Sequence, residues 1–588
     1  MGRYKQLVWA IPAILPALSG CTVGMGDIDR RIDRVLGQSS NNLGAFVKDP
    51  NWDPAEREVE DIPASEYQSK SVPTTNLAPG ELEYIPADEA RDAQARLDEY
   101  LADQEGEKLE LTLAEALRIS QTSSREFQTA QEQYILSAIS LLIQRHQFNP
   151  QFFNTTTFTT TGDANDGRHD VILDIMNELG VSKNFERGGQ VAASWILNAS
   201  EDLRSGVSNR YTQSSELVLT GSFPLLRGAG LIASEALIQA ERNLIYAARD
   251  FERFRRDLFV EIATDYIRLL QQQDSIMNQQ RRIQSLENLL TETVAKSQAG
   301  QLRDFEISIA ESDLLDARAN LADLKDSYRF LEDTFKIRIG LSVDQAVTVN
   351  PLRLDLPDPD ITPTEATVRA LEYRLDLQNT RDRVLDSRRA VANSRNALLP
   401  DLNVNGRVGL PTDPSVDEGG LDFDPDELTY SAGVSLGLPL DRVEEELRVR
   451  QSIIGLEQQI RSYERERDNV VIQARSAVRG VERARLQLTL AERQVETNRR
   501  RQRGQELDRD NVTPQEIVDT QNALLDAENA RDRAQADLRV AILDYLLDTG
   551  QMRVTEQGAI DSIGGLELME AQNVGDDGDN EGDENDGG

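Results

Sequence analysis

The chain repeats itself, and that constrains it to a fold of two similar halves. Residues 302–340 align with 512–550 at an offset of 210. Glu306 meets Glu516, Ile307 meets Ile517, Leu314-Leu315-Asp316-Ala317 meets Leu524-Leu525-Asp526-Ala527, and Gly340 meets Gly550. Residues 112–152 align with 362–402 at an offset of 250. Thr112, Glu115, Ala116, Arg145 and Pro150 recur as Thr362, Glu365, Ala366, Arg395 and Pro400. Phe223-Pro224-Leu225 recurs as Leu438-Pro439-Leu440 at an offset of 215. The offset changes mainly between Pro150 and Phe223, so the first copy carries about 35 additional residues there.

Each half reads in the same order. A helix of about 35 residues ends near Pro150 or Pro400, and two short strands follow. Pro224 or Pro439 then opens a helix of about 70 residues, where the fixed φ and missing N–H of proline suit a helix start. A break at Gly300, or across 504–511, returns the chain into a helix closed by Gly340 or Gly550. Leu258, Ile262, Tyr266 and Leu269, then Ile283, Leu286, Leu290 and Val294, step by three and four residues, a stripe that packs against partner helices. Seventy helical residues would reach about 100 Å.

The segments between the helices alternate instead. Leu402, Val404, Val408 and Leu410 interleave with Asn403, Asn405 and Arg407. Tyr430, Ala432, Val434, Leu436 and Leu438 interleave with serine and glycine. The first copy offers 152–160 and 217–223, with 191–198 as an extra strand or an extension. Alternation over about ten residues marks either a soluble half-buried sheet or an outer-membrane barrel whose apolar side faces lipid. The very long flanking helices leave no obvious second layer, which favours the barrel. After the N-terminus no segment offers 18 uncharged apolar residues, so a membrane crossing would need closed strands. Four strands cannot close alone, so several chains would combine.

Composition excludes much else. With 64 Lys+Arg against 102 Asp+Glu the net charge is −38, the wrong sign for a nucleic-acid partner. One Cys and two His, His146 and His169, cannot assemble a zinc cluster or a Cys–His pair. No cofactor, metal site or catalytic residue is expected.

The N-terminus carries Arg3 and Lys5, then an apolar run over 7–17 that ends in Leu18-Ser19-Gly20-Cys21. This resembles the lipobox of bacterial lipoproteins, which implies cleavage before Cys21, lipidation of its thiol and acylation of the new N-terminus. Thr22, where an Asp would signal retention, implies the outer membrane. Two or more acyl chains make such an anchor stable. Residues 22–108 read as an acidic tether with one short helix near 88–103, and residues 571–588 as a solvated acidic tail faintly like calcium loops but without the closing Glu.

The duplicated Leu111-Thr-Leu-Ala-Glu-Ala-Leu117 opening, the Asn149-Pro150 and Leu399-Pro400 helix ends, the Gly221-Ser-Phe-Pro-Leu-Leu-Arg227 turn and the two Leu-Leu-Asp-Ala returns together resemble the TolC-like outer-membrane efflux protein family, in its lipoprotein branch, over about residues 109–552. The resemblance implies a mainly α chain with a transmembrane β-barrel. Three copies, with four strands each, would form a twelve-stranded barrel continued by a long α-helical periplasmic tunnel. The resulting domains are a signal peptide (1–20), a lipid anchor and tether (21–108), a first repeat (109–350, strands about 152–223), a second repeat (351–552, strands about 402–438) and an acidic disordered tail (553–588).

The same resemblance implies passive conduction of small molecules to the exterior, with a periplasmic adaptor and an inner-membrane pump as partners. A type I protein-secretion duct shares the fold and stays open as an alternative, as does a non-conducting lipid-anchored coiled-coil rod. The family's acidic gate falls on Glu516 and Asp519, three residues apart on one helix face, though a solvated acidic helix start has the same composition. Gly300 and Leu302 fall at the adaptor contact. Arg499, Arg500, Arg501 and Arg503 either dock the adaptor, balance nearby acids or simply solvate a helix. If Cys21 carries the lipid, Cys21→Ser abolishes incorporation of labelled palmitate; retained label would reject the anchor.

Overall fold

The computed structural model describes residues 25–43, 108–165, 168–202, 211–350, 362–412, 422–508, 512–554 and 560–562. In chain order the elements are α1 (Met25–Leu43), β1 (Leu109–Leu111), α2 (Leu113–Ser123), α3 (Arg125–His146), β2 (Gln151–Asn165), β3 (Arg168–Asn184), β4 (Gln190–Asp202), β5 (Tyr211–Pro224), α4 (Glu235–Gln298), α5 (Asp304–Ile339), β6 (Val347–Val349), α6 (Pro363–Tyr373), α7 (Leu375–Asn396), β7 (Asp401–Pro411), β8 (Thr429–Gly437), α8 (Val443–Leu507), α9 (Pro514–Asp548), β9 (Met552–Val554) and β10 (Ile560–Ser562). The chain forms two compact units, one of residues 1–49, 132–251 and 375–468, the other of 50–131, 252–374 and 469–588.

The first unit holds a six-stranded antiparallel sheet in the order β2-β3-β4-β5-β7-β8. This corrects the expected count of four strands. The additional residues of the first copy form an extra antiparallel pair, so β2 meets β3 and β4 meets β5, where two strands were expected. The β5–β7 pairing then joins the halves, with Leu217 opposite Leu410 and Leu219 opposite Val408.

Register sorts the side chains into two faces, because successive residues of a strand point to opposite sides. Phe158, Ile175, Ala199 and Gln213 lie in one cross-strand row, and Leu179, Trp195, Leu217 and Leu410 in another. On β7 and β8, Val408 stands opposite Tyr430, Val404 opposite Val434 and Leu402 opposite Leu436. Apart from Gln213 these residues form a mainly apolar face, and it is open: Phe152 is 73% exposed, Tyr430 82% and Val434 69%. A polar trio interrupts it, where Asn177 donates to the Asn154 amide oxygen and to the Thr156 hydroxyl, both at 2.7 Å.

The opposite face is polar. Arg407 pairs with Glu216 at 2.8 Å, and the Ser222 hydroxyl lies 2.8 Å from the Asn405 amide oxygen. On this face Gln190, Thr220, Ser222, Asn405, Arg407 and Ser431, from four successive strands, line one shallow hollow.

Beside the sheet, α7 packs on the 235–251 part of α4 through polar groups. Arg249 donates to Asp382 at 2.8 Å, Asn379 donates to Asp250 at 2.8 Å, and the Tyr246 hydroxyl donates to Asp386 at 2.5 Å. Arg242 also pairs with Asp386. Burial, together with the hydrogen bond to the Asp386 carboxylate, pushes the Tyr246 phenol up to about 12. Tyr134 of α3 stacks on Phe251 with centroids 5.8 Å apart.

The second unit is helical. Ile262, Ala263, Tyr266 and Leu269 of α4 are buried, with Phe335 and Ile339 of α5 and Leu543, Tyr545 and Leu546 of α9. Residues 109–111 and 347–349, the ends of the first copy, pair in parallel as β1 and β6. The buried Tyr266 hydroxyl sits under this pair, 3.0 Å from the Leu111 carbonyl and 2.7 Å from that of Asn350. Within one stretch of α4, the carboxylate of Glu252 takes bonds from Arg255 and Arg256, both at 2.9 Å, and all three side chains are almost wholly buried.

Four further expectations are corrected. The helix before each strand pair is two helices, broken at Ser124 and at Arg374, whose backbones are extended (φ −66°, ψ 126° and φ −70°, ψ 121°). The breaks sit against the glycines that close α5 and α9. Pro224 ends β5 rather than opening a helix, and a turn and a 3-10 segment, Gly230–Ser234, intervene before α4. The stretch read as tether contains α1, whose Ile32, Val35 and Leu36 are buried at helical spacing. The tail set from 553 is corrected at its start, where Met552–Val554 and Ile560–Ser562 pair antiparallel as β9 and β10; the acidic stretch 571–588 and the helix expected near 88–103 lie outside the described residues.

Gly340 caps α5 at φ +85°, where a Cβ would stand 2.2 Å from the Ser123 carbonyl oxygen. Gly300 caps α4 at φ +75° with nothing within 4 Å of such a Cβ. Left-handed backbone costs an L side chain about 1–2 kcal/mol. Gly300→Ala is therefore expected to lose about that much in denaturant unfolding, and Gly340→Ala clearly more, because the α2–α3 break must move. Equal losses would show that the close approach carries no weight.

Candidate gate and membrane surface

The two helix turns singled out from sequence lie in the second unit. The first is a glycine C-cap: Gly300 donates to the Ser297 carbonyl at 2.8 Å and Gln301 to the Lys296 carbonyl at 2.9 Å. Ser297 donates across the turn to Asp304 at 2.8 Å. Gly300 is exposed, Leu302 half-buried, and Phe305 beside them is 55% exposed.

The second turn delivers Glu516 and Asp519. Pro514 starts α9, and Thr513 precedes it as a cap. The Thr513 hydroxyl accepts the Glu516 amide at 3.3 Å, and the Glu516 carboxylate accepts the Thr513 amide at 2.9 Å, a reciprocal capping box. Ile517 and Val518 turn inward against Leu286 and Leu289 of α4 and Leu314 and Ala317 of α5. Helical geometry therefore leaves Glu516 and Asp519 outside this apolar cluster, and both are exposed.

The electrostatics of the two acids differ. Glu516 is held below the usual carboxylate range by the two hydrogen bonds from Thr513, with help from Arg501. Asp519 accepts a bond from Gln515 at 3.0 Å. It also acts on Asp313 of α5, whose carboxyl is pushed up by burial and by the charges of Asp316 and Asp519, against the pull of Arg282. Asp313 was not singled out from sequence, and no spacing motif marked it. The role of Glu516 as a cap partner was readable in Thr513-Pro-Gln-Glu516.

Of the nearby arginines, Arg499 pairs with Glu528 at 2.7 Å and Arg500 with Glu496. Arg501 acts on Glu516, and Arg503 lies 3.4 Å from the Arg499 carbonyl oxygen. Cys21 lies outside the described residues. Among the described residues no group of three or more His, Cys, Asp or Glu could hold a metal. No described helix is long and apolar enough to cross a membrane.

Solved structures share this architecture. The chain matches the outer-membrane channel OprN with a TM-score of 0.57 and 16% identity, over 74% of this chain and 89% of that one. It matches the Campylobacter jejuni CmeC outer membrane channel with a TM-score of 0.56 and 15% identity, over 81% and 94%. It matches the Neisseria gonorrhoeae MtrE outer membrane channel, described in its open state, with a TM-score of 0.56 and 15% identity, over 74% and 88%. At such identities the likeness is one of fold: a mainly helical chain with long helices and an antiparallel sheet, as in these channels. No family model matches the sequence, and no curated protein does.

The depressed Glu516 carboxyl fixes the sign of a pH effect. Its contribution to the cap is present above the unfolded carboxylate value and is lost only as pH falls through the lower folded value. Amide exchange in the first turn of α9 should stay slow through mild acid and quicken below the ordinary carboxylate range. In Thr513→Ala it should be fast already near neutral pH. Identical profiles in the two proteins would show that the box does not hold the turn.

Proposed function

We propose that this protein is the outer-membrane channel of a tripartite efflux pump, conducting small molecules passively from an inner-membrane transporter and a periplasmic adaptor to the exterior. The observation that carries the reading is the sheet: an exposed apolar side, an opposite polar side with a shallow hollow, and a fold shared with outer-membrane channels. Hydrocarbon is the natural cover for the first side and water for the second. A lipid anchored at Cys21 would hold the N-terminus at the same membrane.

Three copies around an axis supply what one chain lacks, since a single open sheet leaves two edges with unpaired backbone groups in lipid. The function needs no bond-making step, and so no catalytic residue. Selectivity then comes from charge and width along the bore. Glu516 and Asp519, exposed at the start of α9, are proposed as the periplasmic gate, where three copies of each would favour cations. The Gly300 turn with Leu302 is proposed as the adaptor contact. The sheet counts against a non-conducting rod, which has no use for one.

Planar-bilayer recording of the full chain tests this reading. Ion-conducting steps are expected, with a cation preference that falls in the double variant Glu516→Gln, Asp519→Asn. Absence of conductance would reject the channel. Conductance with unchanged preference would remove the gate assignment alone.

A further inference from the structure

We infer that the extra pair β3–β4 is part of the barrel wall, so that three copies close an eighteen-stranded barrel in which β8 of one copy pairs with β2 of the next. This rests on the channel reading above and adds the number of strands, the edges that meet and the occupant of each edge, a second copy of this chain.

Parity is the first support. All five pairings in the sheet are antiparallel, so the six strands alternate in direction and β8 runs opposite to β2. Rotating a copy about an axis therefore brings β8 against a neighbouring β2 in antiparallel sense, and every seam of the ring closes by the same rule.

The edges themselves are the second support. Exposed sheet edges in monomers are normally blunted by charged residues, proline or bulges that prevent pairing. β8 carries none over its nine residues, Thr429–Gly437, and is exposed throughout. On β2, residues 151–162 contain no charge and no proline. Both edges are left ready to pair.

Continuity of the apolar side is the third. Leu179 of β3 and Trp195 of β4 stand in one cross-strand row with Leu217 of β5 and Leu410 of β7. The added strands thus extend the same surface that the rest of the sheet presents, rather than folding away as a separate layer. Barrel diameter grows roughly linearly with strand number, so eighteen strands give about 1.5 times the circumference of twelve.

The test is electron cryo-microscopy of the full chain purified from membranes in detergent, with strands counted in the wall. Eighteen strands around three copies are expected; a conducting trimer with twelve would overturn the inference and leave the channel reading intact. A conducting dimer with twelve would overturn it too. Single copies without conductance would remove both. A second measurement reads the seam inside the chain. Ala193 and Leu219 stand directly opposite on β4 and β5. Ala193→Cys with Leu219→Cys should form a disulfide within one subunit, seen as a mobility shift that reductant reverses, with each single variant as control. If the wall were instead made by β2 lying directly on β5, no such bond would form.

Discussion

An apolar sheet face with no second layer over it among the described residues is the constraint from which the rest follows. A soluble sheet buries its hydrophobic side against another sheet or against helices. Here Phe152, Tyr430 and Val434 remain open, while the opposite side is largely polar and holds a shallow hollow. On the proposed reading, lipid outside and water inside would satisfy both. Once hydrocarbon is the cover, no strand edge can remain unpaired, because nothing in the bilayer core replaces a lost backbone hydrogen bond. Closure with other copies is then a requirement of the solvent rather than an embellishment of the fold.

Much of this architecture was legible, and the failures have physical causes. The helices were readable because their stripes and the two aligned halves speak together; α4 and α8 come out at 64 and 65 residues against an expectation near 70. The strands β7 and β8 alternate cleanly and were placed almost to the residue. β3 was missed because its alternation is broken: Ile172 and Met176 fall on the polar side and Asn177 on the apolar one. The breaks at Ser124 and Arg374 were invisible because their cause is distant, a glycine cap from another helix that occupies the space a continuous helix would need. At the turns, composition pointed to Glu516 and Asp519, while the division of labour between them, one bound into a cap and one free to act on Asp313, needed coordinates.

Both units combine polar and apolar contacts. Beside the sheet, α7 and α4 meet through Arg249, Asp382, Asn379, Asp250 and Tyr246, and α7 also buries Leu377, Val384 and Val391 as an apolar stripe. In the helical unit the core is largely apolar, but charge is buried there too, in the triad of Glu252 with Arg255 and Arg256 and in the Lys336–Glu332 pair. Such buried charge is weak evidence for stability but severe when broken, since removing one partner strands the others.

The Asn154–Asn177–Thr156 trio has a consequence for how β2 finds its place. Six of its residues are threonines, and four of them, Thr155, Thr157, Thr159 and Thr161, lie on the side away from the trio, where a slide by two positions mostly puts a threonine where a threonine was and barely distinguishes one alignment from the next. The Asn177 amide does distinguish them. In the observed alignment both its donor bonds are met, and a slide would break that arrangement. A single polar side chain on an apolar face thereby acts as a latch, giving a repetitive strand one address.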